Sequence, residues 1–212
     1  MADVKKGWWF IPILRLPNGE LRDEIRLPLV DGRVFDDGTD PSGSYSFFSA
    51  VQGKPDYLTN CQQNNILPQG VSFRILGIAF DMQNTNAARR NLLPLLMERT
   101  STVLKVGEKD YFKCPLLFLA GRLEQNVAVA SGSGTTTAFE RFHQKFGTAI
   151  GLPVLFTGKH VIDVAPLQNF ALNTIMSGLT AAQIAELTNT PVVGLNNTIY
   201  ASLKGLYRRP VQ

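Results

Sequence analysis

The sequence predicts a mainly all-β protein: one antiparallel β-sandwich, a single jelly roll, with two or three short helices in its connections. Three observations carry this. Short apolar or alternating runs recur between clusters of Gly, Pro, Asn, Asp and Ser. Several of these runs are joined by tight-turn signals into hairpins. The regular strand-helix alternation that a parallel α/β sheet requires is absent. A chain of 212 residues suits one such domain, and a hydrophobic content of 44% supplies its core.

The elements follow in order. Residues 8–16 are aromatic and aliphatic and read as a strand. Asn18-Gly19 marks a tight turn, because this pair readily takes positive φ. Residues 21–30 return, with Ile25, Leu27 and Leu29 at period two; Pro12 and Pro28 place the hairpin at an edge or a bulge. Residues 31–70 are rich in Gly, Asp, Ser, Asn and Pro and read as a long irregular loop, with a short strand over Tyr45 to Phe48. Residues 71–82 form the clearest core strand, apolar on both faces from Ile75 onward. A helix capped near Asn84 and kinked at Pro94 is expected to run to Arg99.

Residues 102–106 and 111–119 make a second hairpin, and 125–130 a weaker strand before a Gly- and Ser-rich loop. Thr137 and Glu140 have capping-box spacing, and Phe139, Phe142 and Phe146 follow at helix spacing, so a helix is expected there, ended by Gly147. A third hairpin spans 153–164 and another strand 169–176. Thr180 and Gln183 form a second capping box, opening a short helix. Residues 192–206 close the chain as two strands about Asn196-Asn197.

The composition limits the function classes. Charged residues are only 18%, which leaves much surface to meet other protein. Thirteen Phe and two His give much to pack and little to titrate near neutral pH. Neither His143 nor His160 sits in a nucleophile motif with Cys61 or Cys114, and no Cys-x-x-Cys or His pair suggests a metal. Gly158-Lys159-His160 lacks the Ser or Thr that ends a phosphate loop. The carboxylates Asp36, Asp37 and Asp40 lack calcium-loop spacing and read as a solvated turn. The expectation is a protein without catalytic residues, cofactor, metal or small-molecule substrate.

Two cysteines and no apolar leader behind Lys5 and Lys6 suggest synthesis and folding in a reducing cytoplasm. The basic pairs Lys5-Lys6 and Arg208-Arg209 are the candidate contacts to a polyanion, either a genome or lipid headgroups. Trp8, Trp9, Tyr45, Phe47, Phe48 and Tyr57 are the candidate interface residues, since aromatics in end segments and long loops are poor choices for free solvent.

The helix expected at 85–99, the hairpin of residues 101–121 and the late strand of residues 160–172 follow one another in an order that resembles jelly-roll coat proteins of tailless icosahedral bacterial and archaeal viruses. The likeness covers about a third of the chain. It implies a capsid subunit, made in the host cytoplasm and resident in the virion, whose partners are its own copies and other virion proteins. A spike or tail receptor-binding module is the alternative, and a glycan-active enzyme with paired carboxylates a second one.

Overall fold

The computed structural model describes residues 13–15, 19–35, 39–84, 98–116, 122–128, 137–145, 162–188 and 197–211. The strands are β1 (Ile13–Arg15), β2 (Leu21–Arg26), β3 (Leu29–Phe35), β4 (Gly43–Phe47), β5 (Ser72–Asn84), β6 (Thr100–Val106), β7 (Lys109–Pro115), β8 (Arg122–Ala128), β9 (Thr137–Lys145), β10 (Ile162–Val164), β11 (Phe170–Met176) and β12 (Asn197–Pro210), with one helix, α1 (Ala181–Thr188), among the described residues. They form two antiparallel sheets packed as a β-sandwich.

The larger sheet is built on two long strands. β12 pairs along β5, and its other edge is shared by β2 near Leu206–Pro210 and β3 near Asn197–Leu203. The far edge of β5 is divided likewise, with β10 beside Phe73–Ile75 and β9 beside Gly77–Asn84. β1 and β8 extend the two sides. The second sheet runs β4-β11-β6-β7. The pairings nest: β3 with β12, β4 with β11, β5 with β10, and β6 with β7. The chain therefore behaves as one long antiparallel ribbon wrapped into two layers.

Local pattern explains most of these strands. In β6, Thr100, Thr102, Leu104 and Val106 are buried and the residues between them are not; in β11 the buried set is Phe170, Leu172, Thr174 and Met176. This is the period-two signature of a half-buried strand. Between the layers, Phe47 of β4 meets Phe80 of β5 edge to face at 6.2 Å. The hairpins 13–15/21–26 and 100–106/109–115 are as expected, the second turning at Gly107 with φ +60°. The capping box also forms: Gln183 N donates to Thr180 Oγ1 at 3.3 Å, and Thr180 N to Gln183 Oε1 at 2.9 Å.

Residues 71–82 are indeed the central strand, but their two-sided burial has a specific cause. Lys204 pairs with Gly77 and Gly205 with Ile75, so Leu76 is an extra residue in β5. This bulge reverses the parity: Phe73 and Ile75 face the core before it, and Ile78, Phe80 and Met82 after it. Opposite the bulge, a Cβ on Gly205 would clash with the Arg74 carbonyl oxygen and lie 2.6 Å from Phe73 Cζ.

Four expectations are corrected. The segment 137–145 is strand β9, between β5 and β8, not a helix. Two rows of ladder partners outweigh a helical spacing that a sequence of Phe and Thr supports only weakly. His143 therefore lies on a strand. Residues 21–30 form two strands, because Pro28 lacks the N–H that would continue one ladder. Residues 197–210 are one strand, held by β5 along one side. The span 31–70 is not a continuous irregular loop: it holds most of β3 and all of β4, and its remainder folds back on the same domain, burying Phe48, Val51, Leu58 and Leu67. The expected helix is described only at Glu98 and Arg99; the rest of 85–97 and the 153–161 part of the third hairpin lie outside the described residues.

Candidate functional site

The alternation of β3 puts Leu29, Asp31, Arg33 and Phe35 on the core face, so a carboxylate enters the sandwich. Asp31 is fully buried. Lys54 Nζ donates to its Oδ1 at 2.6 Å, and the Phe48 backbone N–H donates to Oδ2 at 2.7 Å. The same ammonium donates to the Gly32 carbonyl at 3.0 Å and to the Tyr45 hydroxyl at 3.2 Å. Burial opposes the charge on Lys54, but the hydrogen bonds from Asp31 and Tyr45 and the Asp31 charge together raise its pKa above the ordinary lysine value. Arg33 lies 4.7 Å from the centroid of the Tyr45 ring and donates to the Pro41 carbonyl at 2.7 Å. Both carboxylate oxygens have a donor, so the cluster fastens the 48–70 segment to β3 and leaves no obvious opening for a substrate.

Next to it, Asn60 bridges the break between β2 and β3, accepting from Val30 N at 2.8 Å and donating to the Pro28 carbonyl at 2.7 Å. A groove of about 260 Å³ follows, with Leu29, Cys61, Ile66, Tyr207 and Arg209 among its walls. Burial pushes the Cys61 thiol up to about 12. A protonated thiol is a poor nucleophile. With Cys114 replaced by Ser, alkylation of Cys61 at pH 8 is expected to be slower in the native protein than in the unfolded chain by roughly two orders of magnitude or more. Equal rates, followed by mass spectrometry, would contradict this environment.

A second cleft, of about 210 Å³, opens at one end of the smaller sheet. The β6–β7 turn contributes Gly107 and Glu108, β6 contributes Lys105, the start of β11 contributes Asn169 and Ala171, and the 48–70 segment contributes Asn65. Main-chain bonds tie these pieces together: Gly107 N to the Asn169 carbonyl and Phe170 N to the Asn65 carbonyl, both at 2.7 Å. Asn65 has φ +58°, and its Oδ1 is buried without a hydrogen-bond partner.

The residues singled out from the sequence do not converge. Phe47 and Phe48 are core residues, 1% and 0% exposed, because their segment closes over the sandwich; an interface role for these two is corrected. Tyr45 is half-buried against Phe47 and Arg33, whereas Tyr57 is 73% exposed. Arg208 and Arg209 are not free cations: register places them opposite Glu24 and Asp23, and they form ion pairs at 2.7 and 3.4 Å. Asp40 accepts from Ser42 N at 2.8 Å, a bond that lowers its pKa, as a turn carboxylate does. Trp8, Trp9, Lys5, Lys6, Asp36, Asp37 and His160 lie outside the described residues.

Asp31, Lys54 and Asn65 were missed. For Asp31 a signal existed: with Leu29 and Phe35 in the core, strict alternation puts residue 31 there too. Among the described residues no helix is long and apolar enough to cross a membrane, and no group of three or more His, Cys, Asp or Glu could hold a metal ion. No protein-family model matches the chain, and no curated protein matches it in sequence.

Proposed function

We propose that this protein is a non-catalytic, jelly-roll coat subunit that assembles with its own copies into an icosahedral viral shell. The observation that carries the reading is the nested pairing of eight strands, β3 with β12 inward to β6 with β7, across two facing sheets. We read this as the double Greek key of a jelly roll, an architecture shared by viral coat subunits, lectins and cupins. Two further features favour a coat subunit within that set. The charge content of 18% is low for a surface that meets only water. The large apolar side chains of Leu21, Tyr57, Leu167 and Ile175 are 44% to 73% exposed, as suits surface that neighbouring subunits cover.

The partners in this reading are other copies and other virion proteins, and the location is the virion. Arg208 and Arg209, already paired with carboxylates, are poor contacts for a genome. Light scattering and negative-stain electron microscopy of the purified chain test the proposal. Trimers, pentamers, hexamers or closed shells are expected. A chain that stays monomeric at all concentrations, with no such protein in source particles, overturns it.

A further inference from the structure

We propose that the cleft between Asn65, the β6–β7 turn and the start of β11 binds one neutral, hydroxyl-rich ring, a single sugar residue of a glycan. This stands apart from the shell reading, because the cleft lies within one chain.

Its frame is built before any ligand arrives. Asn65 N donates to the Phe48 carbonyl at 2.8 Å, Phe170 N to the Asn65 carbonyl at 2.7 Å, and Gly107 N to the Asn169 carbonyl at 2.7 Å. Behind it, the buried Phe170 ring packs on Phe48 with centroids 5.6 Å apart. These main-chain groups satisfy one another, which leaves recognition to the side chains. A preformed frame lowers the ordering cost of binding.

Asn65 points to a ligand that donates hydrogen bonds. Its φ of +58° is in the left-handed region, which Asn tolerates better than most residues, and its buried Oδ1 meets no donor. A buried acceptor without a donor is a standing cost that a ligand hydroxyl removes. Around it, Lys105 offers donors, Glu108 acceptors and Asn169 both. The charges of Lys105 and Glu108 cancel, so the cleft favours a neutral ligand. A sugar ring carries several hydroxyls that each donate and accept. The volume of about 210 Å³ is below the range of about 300–1,000 Å³ typical of drug-sized pockets, which fits one ring rather than an extended chain. Glu108 is the single carboxylate of the lining, so the cleft lacks the carboxylate pair of glycoside hydrolysis and binds without cleaving.

Saturation-transfer NMR on the full chain, with mannose, galactose and N-acetylglucosamine as probes, tests the inference, and the method tolerates an assembled protein. A saturable signal is expected from at least one sugar. Asn65→Gly keeps the left-handed backbone and deletes the amide; it should weaken binding about tenfold, the loss of one hydrogen bond. Glu108→Ala, on the exposed turn, should weaken it similarly, and circular dichroism checks that both variants fold. If no sugar gives a signal, so that Asn65 is served by water alone, the inference is overturned. It is equally overturned if both folded variants bind as tightly as the native chain.

Discussion

Replacing Asp31 by Ala is expected to destabilise the fold by about 3–5 kcal/mol, as removal of one partner from a buried ion pair does. The substitution strands the Lys54 ammonium beside the Gly32 carbonyl and leaves the Phe48 N–H without its acceptor. Lys54→Met should also be costly, because it leaves a fully buried carboxylate without its cation. The double variant Asp31→Leu/Lys54→Met should recover much of the loss, since a well-packed apolar pair can replace a buried ion pair at little cost. Urea unfolding of the four proteins closes the cycle. If each single variant loses under about 1 kcal/mol, the pair acts like a surface salt bridge and the clip assigned here is wrong.

The same pair sets an alkaline limit. The pKa of Lys54 is raised in the folded state from an ordinary value of 10.5. A raised lysine pKa means that the folded state holds the proton more tightly. The stabilisation is fully present below 10.5 and is lost as pH rises through the higher folded value. The native protein should therefore lose stability above pH 10.5 more steeply than Lys54→Met. Parallel slopes for the two proteins would remove this assignment.

Substitution of Gly205 by Ala should cost about 1–3 kcal/mol or more, the range of overpacking in a close-packed core. The new methyl group would meet the Arg74 carbonyl oxygen, and the Phe73 ring with contacts of 2.6 and 2.9 Å. The carbonyl belongs to β5, and the ring is 1% exposed, so neither can move away freely. Adding Phe73→Leu should relieve the ring clash but not the carbonyl clash, and so restore only part of any melting-temperature loss caused by the added methyl. A Gly205→Ala protein that melts with the native one would show that the bulge at Leu76 is not held in this register.

By itself, the sequence determined those features whose cause lies within a few residues. The faces of β6 and β11 follow from period two. The cap of α1 follows from Thr180 and Gln183, three residues apart. The turns at Gly19 and Gly107 follow from the positive φ that glycine takes without a Cβ penalty. The central place of residues 71–82 follows from their apolar run. From such signals the all-β class and the sandwich were legible.

Tertiary structure alone decided the rest, because the causes lie far apart in the chain. Residues 137–145 carry a helical spacing but become β9, since β5 and β8 offer it ladders on both sides. The parity change at Leu76 follows from how β12 pairs with β5, which no period count within β5 reveals. Arg208 and Arg209 read as a basic pair until pairing sets Glu24 and Asp23 beside them. The cleft at Asn65 gathers residues from the 48–70 segment, the β6–β7 hairpin and the start of β11. Alternation fixes which face of its own strand a residue occupies, but a charge, an unpaired amide or a bulge takes its role from the strand or loop that folds against it.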